Sequence, residues 1–355
     1  MITRREANPG PNRRTALAAG AAVALAACGR RGGLTTPRAG RRLDIGSLGS
    51  AFPALAERAR PGLFAIGVMS LDTTETWCSD TQRAFTLAGL GALPLAGAVM
   101  AAVEAGRMSL AGPIDFGAGE LSAPFSIINQ RWPAPPEAFA ARAPVATLLK
   151  LALQWGDNTA GDVLMARLGG PGAVTAWLRQ RDVKEIRLDR YARELATDLA
   201  ALPPFRPAWK DSPAFIAARD QAPARVRQQA MGACLADPRD AATLPGVLDF
   251  LAKLVAGELV SPADSAALLA WMEATGPGGN LLRAGWPAAV AVAHKGAAAA
   301  TDLGFTPVTG DLAVITLPDR RRYAMAGFLA GSTATGAERA ALFAQAARLA
   351  ASAVR

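Results

Sequence analysis

A chain of 355 residues that is 51% hydrophobic has room for one large domain or two modest ones, and for a substantial core. Of its formal charge of +9, residues 1–28 carry +3 and residues 29–43 carry +5, which leaves +1 for everything after them. No basic stripe with interleaved aromatics occurs in that remainder, so nucleic-acid binding is excluded, and one histidine with three scattered cysteines cannot build a usual zinc site.

The chain begins as an export signal. Arg13 and Arg14 precede an apolar run over residues 15–27, too short to span a bilayer comfortably. Leu25-Ala26-Ala27-Cys28 resembles a bacterial lipoprotein processing site, in which the cysteine becomes the lipidated first residue. The paired arginines also look like a twin-arginine leader. The expectation is an exported, periplasmic protein held at the membrane through Cys28; an ordinary signal peptide with an accidental cysteine is the alternative. Residues 29–43 are rich in Gly and Arg and read as a disordered basic tether. The domain proper is expected over residues 44–355.

A helix is expected over residues 54–59, ended by Pro61-Gly62, then a strand over 63–71 and a short return strand near 74–77. Residues 85–106 recur in apolar character at three- and four-residue steps with little that is polar, and predict a long buried helix. Residues 107–143 read as loop-rich, with an irregular crossing at Pro133, Pro135 and Pro136. Helices are predicted over 145–154, 159–168 and 173–180, with a break at Gly169-Gly170-Pro171-Gly172. Residues 197–237 form an insert-like, Pro-, Ala- and Arg-rich stretch with short helices near 214–219 and 224–231. Helices resume over 243–256 and 261–275, strands are expected over 289–293, 311–317 and 323–330, and a helix over 336–354 closes the chain. Strands at both ends with helices between imply a mixed α/β (α+β) fold: an antiparallel sheet flanked by helices, plus an all-helical lobe. Cys78 and Cys234 either pair or remain separate buried thiols; their spacing does not decide.

The helix beginning Phe85-Thr86-Leu87-Ala88-Gly89 resembles the nucleophile helix of the class A β-lactamases and related penicillin-interactive serine hydrolases. That helix opens with Ser-x-x-Lys, a spacing that puts hydroxyl and amine one turn apart on one face. Here the serine position is Gly89 and the lysine position is Ala92. Gln154-Trp155-Gly156-Asp157-Asn158 resembles the family's Ser-Asp-Asn motif, with Gly156 in place of the proton-shuttling serine. Arg187-Leu188-Asp189-Arg190-Tyr191 resembles the entry to the family's omega loop. The glutamate that activates water falls at Ala192, and its asparagine helper at Ala196. Asp237-Pro238-Arg239-Asp240 resembles the loop's exit, so the resemblance implies a salt bridge between Arg190 and Asp240 across a loop region, about residues 187–240, longer than usual. His294-Lys295-Gly296-Ala297 resembles the Lys-Thr-Gly strand that binds the substrate carboxylate, with Lys295 kept.

The resemblance therefore implies a serine β-lactamase-like fold and, at the same time, no intact catalytic set. Acylation needs an oxygen nucleophile and a base within hydrogen-bond reach. Gly89, Ala92, Gly156 and Ala192 offer neither. The pair Thr147 and Lys150 has Thr-x-x-Lys spacing but lies inside another helix, and His294 reads as a packed or solvent-facing histidine. What remains is a ligand-binding set of Asp157, Asn158 and Lys295. Together with the leader, the resemblance leads us to expect a silent, monomeric, cofactor-free envelope lipoprotein that binds a peptidoglycan peptide or β-lactam-like ligand. The alternatives are an amide hydrolase with altered catalytic residues and an envelope scaffold.

Overall fold

The computed structural model describes residues 42–131, 140–274 and 280–354. The expected export signal, Cys28, the expected tether up to residue 41 and the three crossing prolines lie outside the described residues.

A five-stranded antiparallel sheet is the centre of the fold. Its strands are β1 (Leu63–Ser70), β2 (Thr76–Cys78), β7 (Ala291–Ala298), β8 (Thr306–Thr316) and β9 (Arg322–Ser332), numbered along the chain. Their order across the sheet is β2-β1-β9-β8-β7. Both faces are covered, so the strands read as nearly continuous apolar runs rather than as alternating ones. The two-residue period still sorts the side chains. Phe64, Ile66 and Val68 of β1 and Tyr323, Met325 and Leu329 of β9 face a core shared with α1 (Ile45–Glu57) and α12 (Gly336–Ala353). Ala65, Ala324, Ala326 and Phe328 face the larger core on the other side.

That larger core is built on α2 (Ala92–Glu104), whose residues from Leu93 to Ala102 are all buried. Around it stand α4 (Val145–Trp155), α5 (Asn158–Leu168), α6 (Ala173–Gln180), α10 (Leu244–Ala256) and α11 (Pro262–Glu273). The predicted mixed fold with a sheet and a helical lobe is the one observed.

Three expectations about elements are corrected. The helix does not begin at residue 85. Phe85 belongs to β3 (Ala84–Thr86), which pairs with β6 (Ala241–Thr243), and its ring stacks on Phe328 at 5.0 Å. A 3-10 turn at Ala88–Gly91 follows, and regular helix starts at Ala92. Apolar periodicity cannot separate a buried strand from the helix it feeds, and a partner strand 157 residues away in sequence decided the matter. Second, the loop-rich stretch after residue 107 contains a hairpin-like pair, β4 (Pro113–Gly117) with β5 (Ala140–Pro144), and the short α3 (Ile127–Gln130). Third, β7 is longer than predicted and carries His294 and Lys295 within it. Cys78 and Cys234 are free thiols.

Candidate functional site

Between the edge strand β7 and the helical lobe lies a cavity of about 570 Å³. Gly89, Ala92, Gly156, Asp157, Asn158, Arg190, Ala192, Ala196, Asp240 and Lys295 all contribute to its wall. Residues spread over more than two hundred positions of sequence are thus gathered around one space.

Lys295 reaches it because strand side chains alternate. Ala293 and Lys295 share the face toward the helical lobe, while Val292 and His294 share the opposite face. His294 accordingly lies outside the cavity, buried, with Nδ1 at 3.1 Å from Asp311 Oδ1. Lys295 is 3% exposed, and burial pulls its ammonium down to about 8, an effect that Asp311 partly offsets. Among the described residues no carboxylate forms an ion pair with it.

The 3-10 turn brings Gly89 up to β7. A Cβ built on Gly89 would stand 3.1 Å from the methyl of Ala297. Ala88, just before it, holds φ at +45°, a conformation that costs an L-residue roughly 1–2 kcal/mol. Strain of this kind persists where surrounding structure imposes it. Here Leu87 is tied by its N–H to the Asp240 carbonyl at 2.8 Å. Gly156 ends α4 in the left-handed region at φ +70°, where glycine is favoured. A Cβ there would lie 3.6 Å from Lys295 Nζ.

Asp157 caps α5. Its carboxylate accepts from Ala160 N at 2.9 Å, Ile128 N at 3.0 Å and Ser126 Oγ at 2.9 Å, so it braces the loop and has little left for a ligand. Asn158 donates Nδ2 to the Ala123 carbonyl at 3.0 Å. Asp162, one turn on from Asn158, is buried and accepts from Ser122 Oγ at 2.5 Å, Ala192 N at 2.6 Å and Arg193 N at 3.2 Å. Burial raises it to about 6 against those bonds. Its oxygens hold the first turn of α7 (Ala192–Leu199), a helix that sequence reasoning missed. The available signal was Glu194, whose Oε2 accepts the Tyr191 N–H at 2.9 Å three residues earlier.

Arg190 is buried and threefold paired: Nε to Asp240 at 2.5 Å, and Nη1 to Asp198 at 2.7 Å and to Asp237 at 3.2 Å. Burial alone would lower its basicity, but these bonds raise it above the ordinary arginine value. Arg239, through its side-chain bond, is the main cause that holds Asp237 down to about 2.

The insert-like stretch folds back over the cavity as α8 (Ser212–Arg219) and α9 (Ala224–Ala236). Phe215 and Ile216 form part of the wall. Arg227 Nη1 bonds Asp302 Oδ1 at 2.7 Å, which ties α9 to the loop between β7 and β8. Asn129 Nδ2 donates to the Lys210 carbonyl at 2.6 Å. Composition marked this segment as an insertion; nothing in it announced where it would pack.

A family model described as the beta-lactamase enzyme family matches residues 48–354. The chain belongs to the beta-lactamase enzyme family. The solved structures it resembles agree with that. A beta-lactamase from Chitinophaga pinensis is 23% identical, with a TM-score of 0.69, over 85% of this chain and 97% of that one. The ancestral class A beta-lactamase of Gram-negative bacteria is 27% identical, with a TM-score of 0.67, over 86% of this chain and 99% of that one.

Within the beta-lactamase fold, the chemistry this cavity offers is, among the described residues, a buried lysine outside any ion pair, the side-chain amides of Gln154 and Asn158, and a mostly apolar wall. The exposed Thr147 and Lys150 lie apart from it, with the Lys150 ammonium 5.7 Å from the Trp271 ring centroid. Among the described residues, no group of three or more His, Cys, Asp or Glu is placed to hold a metal ion.

Proposed function

We propose that this protein is a catalytically silent member of its family: an exported lipoprotein, anchored through Cys28, that binds a carboxylate-bearing ligand of the β-lactam or peptidoglycan-peptide class without cleaving it. One observation carries the reading. The positions at which the resemblance expects nucleophile, activating amine, proton shuttle and general base are Gly89, Ala92, Gly156 and Ala192, and all four line the same cavity as Lys295. None bears an oxygen or a basic nitrogen. Removing a serine nucleophile or its base costs several orders of magnitude, and removing them together leaves only what binding supplies. Lys295 and Asn158 supply the ligand contacts; Arg190 with Asp240 and Asp157 hold the loops that shape the cavity.

The test is a chromogenic cephalosporin assay joined to labelling by a fluorescent penicillin, with any adduct located by mass spectrometry. The expected result is no turnover above buffer and no adduct, with reversible binding that Lys295→Met abolishes. A stable adduct on any residue, or turnover lost on mutating one residue, favours the altered hydrolase instead.

A further inference from the structure

The cavity has more room than a carboxylate subsite uses, and most of its wall is apolar. Away from Lys295 it is bounded by Leu95, Met165, Leu188 and Leu195, with Phe215 from the insert. Ala92, Ala192 and Ala196 offer only methyl groups there. Among the described residues, its charged groups other than Lys295 are engaged. Arg190 has three acidic partners, Arg219 pairs with Asp220 at 2.8 Å and with Asp302 at 3.5 Å, and Asp157 and Asp162 accept internal bonds. Among the described residues, Lys295 is the one lining cation outside an ion pair. The outer rim is apolar too. Phe125, Trp155 and Ile216, each at least 40% exposed, all border this space.

A ligand rich in amides would bury N–H and C=O groups in this part of the cavity without partners, which is costly. A hydrocarbon tail loses nothing there and gains from leaving water. Cavities lined mainly by apolar side chains, with a few placed polar groups, are the usual form of small-molecule sites.

We propose that the cavity also takes a second class of ligand, an amphipathic acid of the acyl-chain type, with its carboxylate on Lys295 and its apolar tail in the space walled by Ala92, Ala192 and Ala196. The proposal rests on the silent-binder reading above, specifically on Lys295 as the anion subsite, and adds an apolar tail site beside it.

The full chain is titrated by calorimetry with dodecanoate, decanoate, octanoate and dodecanol below their micelle concentrations, and with benzylpenicillin. Expected are one-to-one binding of dodecanoate, weakening by about fourfold for each methylene removed, and a loss of roughly tenfold or more in dodecanol or in Lys295→Met. Ala196→Phe and Ala92→Leu, which fill the tail space, weaken dodecanoate by a similar factor; thermal melts check that each variant folds, and either one suffices. Benzylpenicillin binding through Lys295 without dodecanoate binding overturns this inference and leaves the silent-binder reading standing. Dodecanoate binding that Lys295→Met and both filling variants leave unchanged is surface adsorption and also overturns it. If neither acid binds, Lys295 is no anion subsite and both readings fall.

Discussion

Lys295 and Gly156 face each other across one end of the cavity: a Cβ on Gly156 would lie 3.6 Å from the Lys295 ammonium, and among the described residues no carboxylate forms an ion pair with it. A buried ammonium without an ion pair is unfavourable for folding. Its pKa, drawn down to about 8 by burial, expresses that. The unfolded chain holds a proton that the folded chain has given up between about pH 8 and the ordinary lysine value. Stability contributed by this residue therefore rises with pH across that window. Lys295→Met is expected to stabilise the empty protein by about 3 kcal/mol at pH 7, and to remove that rise. Thermal melts of both proteins from pH 7 to pH 10.5 check it. Anion binding runs the other way and weakens as pH climbs through 8.

Gly89 and Ala297 are already close. A serine at position 89 would press its Cβ to 3.1 Å from the Ala297 methyl. Gly89→Ser is expected to cost about 1 kcal/mol in overpacking. Ala297→Gly should recover most of it, so the double mutant is more stable than the sum of the singles. Denaturant titration of the four proteins reads this coupling directly. Strict additivity would mean that the turn moves freely.

Arg190 joins the entry and exit of the loop through Asp240 and reaches Asp198 and Asp237 besides. Truncating it leaves the buried Asp240 carboxylate without its main cation. Arg190→Ala is expected to cost about 3–5 kcal/mol, seen as a fall in thermal midpoint. Arg239→Ala, at an exposed pair, should cost less than about 1 kcal/mol.

Asp162 carries the first turn of α7. Asp162→Ala unpairs the N–H groups of Ala192 and Arg193 together with the Ser122 hydroxyl. A loss of about 1–3 kcal/mol is expected, with faster hydrogen exchange concentrated in residues 192–199. Exchange that rises evenly over the whole chain would contradict the local role. Since the folded value is raised to about 6, protonation stabilises this site as pH falls from 6 toward the ordinary aspartate range. The variant lacks that contribution.

Arg227 and Asp302 latch the insert to the loop after β7. Breaking one side of this buried pair with Arg227→Ala should increase exchange in α8 and α9 selectively and speed ligand entry, while the sheet keeps its protection.

Local chemistry was legible from the residues alone wherever one element acted by itself. The apolar run of α2 follows from spacing, and the motif order from Gly89 through Lys295 was legible through the resemblance to the class A β-lactamases. The same resemblance is what picks out Gly89, Ala92, Gly156 and Ala192 as positions lacking a side-chain oxygen or basic nitrogen. What depended on distant partners was not legible. Phe85 became a strand residue because residues 241–243 lie beside it, and the 197–237 stretch became a roof because Asp302 and Asn129 offer it anchors. Spacing along the chain records which groups share a face of one element. Which elements then enclose a common space is settled by packing between segments far apart in sequence, and that enclosure turned scattered alanines and glycines into a cavity with the buried Lys295 at its end.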